Sequence, residues 1–140
     1  MSKKIAVGID IGGTNTVYGF IENSGKVIEY VEIPTRGHQP INDLLTRLNS
    51  RIKLFFKKNT SFELLGIGLG APNGNHFTGK IQSPPNLSWG DVDIVTIFKE
   101  NFNCKTILTN DANAAALGEK KFGAAKNMDD FVVITLGTGL

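Results

Sequence analysis

Two carboxylates and two glycine–threonine turns are the parts of this 140-residue chain best suited to chemistry. Asp10 opens the run Asp10-Ile11-Gly12-Gly13-Thr14-Asn15-Thr16, with Gly19 further on. Glycines let a backbone approach a phosphate closely, the amides of such a turn can form an anion-binding nest, and the Thr14 hydroxyl is a further donor. A carboxylate beside a phosphate repels it unless a cation lies between, so Asp10 fits the run as a Mg2+ site acting through the ion's waters. The same residues also suit an ordinary glycine hairpin capped by an aspartate. The run lacks the Lys-Ser/Thr of a P-loop and does not match GxGxxG. A second turn of this kind, Gly137-Thr138-Gly139, follows Thr135-Leu136. Two such turns, each after an expected strand, could grip one polyphosphate.

The second carboxylate, Asp111, stands in Thr109-Asn110-Asp111-Ala112-Asn113-Ala114-Ala115-Ala116-Leu117-Gly118-Glu119. Asn and Asp at a strand-to-helix junction are ordinary helix caps. The carboxyl ends of strands are also where α/β sheets place ligands, and there Asp111 could accept a proton from a substrate hydroxyl. Asn110 offers both donors and an acceptor, which suits polyol hydroxyls. A third stretch joins Gly70-Ala71-Pro72-Asn73-Gly74 to Ser83-Pro84-Pro85-Asn86-Leu87-Ser88-Trp89. Either Asn86 binds a sugar with Trp89 packed under it, or Asn86 caps a turn and Trp89 belongs to the core.

The elements that must position these residues follow from periodicity. Short β-branched runs predict strands over 5–11, 16–22 and 26–33, with Asn23-Ser24-Gly25 turning the last two into a hairpin. Ile41, Leu44, Leu45, Leu48, Ile52, Phe55 and Phe56 recur at helical spacing, and Arg47, Arg51, Lys53, Lys57 and Lys58 on the other face read as solvated. A strand is expected over 63–69. A long Gly/Pro/Asn-rich excursion follows over 70–90, with a small hairpin near Gly79, and its length marks it as functional. A helix over 91–102, a strand over 105–109, an Ala-rich helix over 111–122 and a strand over 130–136 complete the order βββαβαβαβ. That order predicts an α/β fold with a mixed sheet and helices on its faces.

Composition removes several classes. A net charge of +2 is too small for a phosphate-tracking surface, so nucleic acid is not an expected partner. Hydrophobic residues at 41% and charged residues at 20% exclude disorder. Cys104 is the one cysteine, which excludes an internal disulfide, and with His38 and His76 it has no metal-ligand spacing. The apolar opening Ile5–Ile9 is interrupted by Asp10, too soon for a signal core or a membrane span, so a cytoplasmic protein is expected. The chain stops inside a turn just after an expected strand, so a fragment, or a protein truncated at a loop meant to continue, is expected.

GIDIGGTNT, GAPNG, PPNLSW, TNDANAAALGEKKFGA and TLGTGL, in that order from Gly8 to Leu140, resemble the ROK family of sugar kinases and sugar-responsive repressors. The resemblance implies a ribonuclease-H-like (actin-like ATPase) lobe, with residues 1–140 as the N-terminal lobe of a homodimeric, cytoplasmic enzyme. It implies ATP- and Mg2+-dependent phosphorylation of a hexose, most often glucose at its 6-hydroxyl. Asp10, Gly12, Gly13 and Thr14 match the family's first phosphate motif, and Gly137, Thr138 and Gly139 its second. Asp111 matches the catalytic base, and Asn110 and Asn86 match sugar ligands. The adenosine pocket, further sugar ligands and a Cys-rich zinc motif would lie beyond Leu140. Asn73 departs from the family's usual Gly. The alternative is a non-catalytic sugar-responsive regulator or an inactive fragment; a repressor's helix-turn-helix has no room before a strand that starts at Ile5.

Overall fold

The structure is a computed structural model that describes residues 2–136. Its first three strands, β1 (Lys3–Ile11), β2 (Asn15–Glu22) and β3 (Val27–Pro34), form an antiparallel meander. The Glu22–Lys26 turn closes it with Gly25 at φ +88°, a conformation that glycine adopts without steric cost. β4 (Phe62–Ala71) and β7 (Lys105–Asn110) extend the sheet in parallel to β1, giving the order β3-β2-β1-β4-β7. Between them, β5 (Gly74–Asn75) and β6 (Lys80–Ile81) make the small hairpin expected near Gly79, which sits at φ +70°.

Period-2 alternation puts Ile5, Val7, Ile9 and Ile11 of β1 on one face, fully buried or nearly so. Against that face packs α1 (Ile41–Lys58) through Leu44, Leu45, Leu48, Ile52 and Phe55, with Phe55 stacked on Phe20 at 3.5 Å between centroids. Asp43 in its first turn and Lys57 and Lys58 in its last complement the helix dipole. α2 (Ile94–Phe102) adds Ile94 and Phe98 to the same core. It begins three residues later than the pattern predicts. Val92 is drawn into a bridge with Ile81, and the Asp93 side chain caps the helix by accepting from the Thr96 amide. α3 (Asp111–Phe122) lies over the other face, on β4 and β7.

Two expectations need correction. Residues 130–136 form no strand, and Val132, Ile134 and Leu136 are 86%, 77% and 78% exposed. Their β-branched composition favours an extended chain, but a strand also needs a ladder partner, and no described strand lies beside them. The observed order is therefore βββαβ, the small hairpin, then αβα. Nor is the basic face of α1 wholly solvated. Arg47 is bound to Asp43 at 2.8 Å and to the carbonyls of Pro34 and Thr35, and Lys53 lies 5.6 Å over the Phe102 ring.

Candidate active site

Strand register builds the site. Asp10 of β1 pairs with Gly70 of β4, and Gly70 pairs with Thr109 of β7, so the three lie in one row at the carboxyl ends of parallel strands. One residue beyond Asn110, β7 passes into α3, which starts at Asp111. Gly70 is the gap between the two carboxylates. A Cβ built on it would lie 3.7 Å from Asp10 Oδ1, 3.6 Å from the Asp111 Cα and 3.2 Å from the Ala114 Cβ. The missing side chain and the small alanines together let α3 approach the sheet, so that Asp10 and Asp111 line one cleft of about 860 Å³. The Asp10 carboxyl is held above its ordinary value, first by burial and then by the negative charge of Asp111. Two carboxylates whose charges oppose each other at a cleft mouth are a common mark of a functional site.

The glycine turn is narrower as an anion nest than its composition predicts. The Gly12 amide donates to the Asn15 carbonyl at 2.9 Å and is spent within the hairpin. The amides of Gly13 and Thr14 make no hydrogen bond among the described residues. Asn86 stands beside this turn, exposed and at φ +62°; a Cβ on Gly13 would lie 3.7 Å from its own Cβ. Trp89 is a half-buried anchor, packed against the core with Nε1 donating to the Gln39 carbonyl at 3.0 Å. Asn73 sits at φ +52° and donates to the Ser83 carbonyl, which accounts for an asparagine where the family favours glycine.

Asn110 caps α3, its side-chain oxygen accepting from the Ala112 amide at 2.9 Å. Asp111 Oδ1 accepts from the same amide at 2.8 Å, while its other oxygen has no partner among the described residues. The capping reading of this junction is thus seen for Asn110, and its amide nitrogen makes no hydrogen bond among the described residues. Gly137, Thr138 and Gly139 lie outside the described residues. Among the described residues no cluster of three His, Cys, Asp or Glu could cage a metal. The Asp10 carboxylate, which lines the cleft, is a sparse oxygen donor of the kind that could hold Mg2+ through the ion's waters.

Sequence reasoning placed Gly70 only in a loop motif and named His76 only in setting aside a metal site; neither was assigned to the cleft. Gly66, Gly68 and Gly70 alternate along β4, a period-2 signal for one bare face. His76 donates from Nδ1 to the Leu108 carbonyl at 3.0 Å and is among the residues that line the cleft. No sequence pattern marks it.

A meander running into parallel strands, with helices on both faces and the site at the strands' carboxyl ends, is the actin-like ATPase fold. The chain belongs to the ROK family, whose profile matches residues 6–140. It is 35% identical to the glucokinase of Halalkalibacterium halodurans over the whole of this chain and 43% of that protein. It is 31% identical to the xylose repressor of Bacillus subtilis, over 96% of this chain and 35% of that protein. Among solved structures, the ROK hexokinase of Thermus thermophilus superposes with a TM-score of 0.70 at 28% identity, covering 88% of this chain and 40% of that one. The chain thus spans less than half the length of these relatives.

Proposed function

We propose that residues 1–140 are the N-terminal lobe of a cytoplasmic, homodimeric sugar kinase that transfers a phosphoryl group from ATP to a hexose, glucose at its 6-hydroxyl being the first candidate. The observation that carries this reading is the meeting of Asp10 and Asp111 across Gly70 in one cleft. In this reading the unpartnered oxygen of Asp111 orients the sugar hydroxyl and takes its proton, which is what a general base at a strand end can do. Asn110 and Asn86 hold sugar hydroxyls through their amides. The Gly13 and Thr14 amides and the Thr14 hydroxyl receive phosphate oxygens, with Gly137, Thr138 and Gly139 as the second phosphate motif. Asp10 would hold Mg2+ through the ion's waters, and the ion would supply positive charge against the phosphates. Phosphoryl transfer needs little more than such positioning and charge stabilisation.

A second reading, a sugar-responsive regulator without turnover, is favoured by the 31% identity to a xylose repressor. The two part on a simple assay of the full-length protein. A kinase consumes ATP faster when a hexose is added and releases the sugar phosphate. A regulator binds a sugar with no ATP consumption, and that result would overturn the kinase reading.

A further inference from the structure

Thr35 has no part in the mechanism above, yet it is 1% exposed and every polar group it carries is engaged. Its amide donates to the Thr14 carbonyl at 2.8 Å and its hydroxyl to the Gly12 carbonyl at 2.7 Å. The Thr16 hydroxyl lies 2.8 Å from the Thr35 hydroxyl. A carbonyl can only accept, so the single Thr35 proton goes to Gly12 and Thr16 must donate to Thr35. On the outer side Arg47, braced by Asp43, donates to the carbonyls of Pro34 and Thr35. Helix α1 is thereby tied through Arg47 and Thr35 to the turn between β1 and β2.

Peptide geometry gives this tie a direction. The 12–13 bond is trans, since no cis peptide occurs among the described residues, and in a trans peptide the C=O and N–H point opposite ways. Holding the Gly12 oxygen toward Thr35 therefore turns the Gly13 N–H away from Thr35, toward the outside of the turn. That amide is one of the two left without a partner.

We propose that Thr35 is a positioning residue that fixes the orientation of the 12–13 peptide so that the Gly13 amide is presented, preformed, to a phosphate oxygen of the nucleotide. The proposal rests on the reading of Gly12-Gly13-Thr14 as a phosphate turn. A purely structural role would require only that the buried hydroxyls be satisfied, and Thr16 supplies the control. Thr16→Val removes a bond of the same buried pair but leaves the grip on Gly12 intact.

The test uses the full-length protein, with ATP and hexose affinities measured separately by titration calorimetry. Amide exchange of the 12–16 segment is followed without nucleotide. Thr35→Val is expected to weaken ATP binding about tenfold or more, the value of one hydrogen bond to a charged group. Hexose affinity should stay unchanged, and the 12–16 amides should exchange differently. Thr35→Ser should restore both readouts, and Thr16→Val should lower the thermal midpoint while keeping ATP affinity. If Thr35→Val does not fold, Thr35→Ser and Thr35→Ala, which differ by the hydroxyl alone, make the same comparison. ATP affinity equal to wild type in the variant lacking the hydroxyl, or an equal loss in Thr16→Val, overturns the proposal alone. A wild-type protein that binds no ATP overturns the phosphate-turn reading and the proposal with it.

Discussion

Asp10 carries a cost at neutral pH. Although Asp10 is exposed at the cleft, partial desolvation and the Asp111 charge hold its carboxyl above the ordinary value of 3.8, so the native state binds that proton more tightly than the unfolded chain does, an effect that solvent screening keeps small. Stability tied to this group is therefore present at low pH and lost as pH rises through the raised value. Asp10→Asn should raise the thermal midpoint at pH 7, and the gain should vanish below about pH 3.8, where both states hold the proton. The same variant of the full-length protein should bind Mg2+-ATP more weakly. Stability and binding moving in opposite directions is the expected mark of a residue kept for function; a lower midpoint at pH 7 would contradict the repulsion. Gly70 is the other residue with a sharp consequence. A Cβ there would press on Ala114 at 3.2 Å, so α3 must give way. Gly70→Ala should destabilise by about 1–3 kcal/mol in chemical denaturation. It should also lower kcat more than it raises the sugar KM, because Asp111 rides on the displaced helix.

At the scale of elements, the proposed function gives the β7–α3 junction two tasks, capping and sugar binding. Asn110→Ser keeps a capping oxygen but removes the amide nitrogen. Stability should change by only a few tenths of a kcal/mol, while hexose affinity falls and ATP affinity holds. Equal losses in stability and affinity would assign Asn110 to capping alone. Most elements were legible in the sequence. The 3.6-residue spacing of Leu44, Leu48, Ile52 and Phe55 and the alternation of Ile5, Val7, Ile9 and Ile11 each fix a buried face. Asp10, Asp111, Asn110 and the glycine turn stood out as candidates as well, because they sit at or near the places where strands end. What could not be read was register. Nothing in the order of residues says that Asp10, Gly70 and Thr109 share a row, or that Thr35 reaches back 23 positions to Gly12. The run 130–136 misled for the same reason. Its composition is that of a strand, but pairing depends on a neighbour that no local pattern reveals.

The whole chain is unevenly covered. One face of the sheet is buried by α1 and α2, while the other carries α3 and a bare row in which Gly8 pairs with both Gly19 and Gly68. Tyr30, Ile107 and Leu117 line the cleft over that face and are 69%, 51% and 65% exposed. An apolar area of this kind rarely stays in water. The 140-residue chain by itself should therefore self-associate, read as a concentration-dependent mass in light scattering. A monodisperse monomer at high concentration would contradict this. Among the described residues no helix is long and apolar enough to cross a membrane.

The central claim is that Asp111 takes a proton from the sugar, and one conservative change tests it. Asparagine caps a helix as well as aspartate does, keeps its shape, and cannot accept that proton. In the full-length protein, Asp111→Asn should lower kcat for sugar phosphorylation by about 10²–10⁴-fold, the usual worth of a general base. ATP affinity should stay near wild type. Phosphorylation by Asp111→Asn at close to the wild-type rate would contradict the account and leave Asp111 as no more than part of the helix cap.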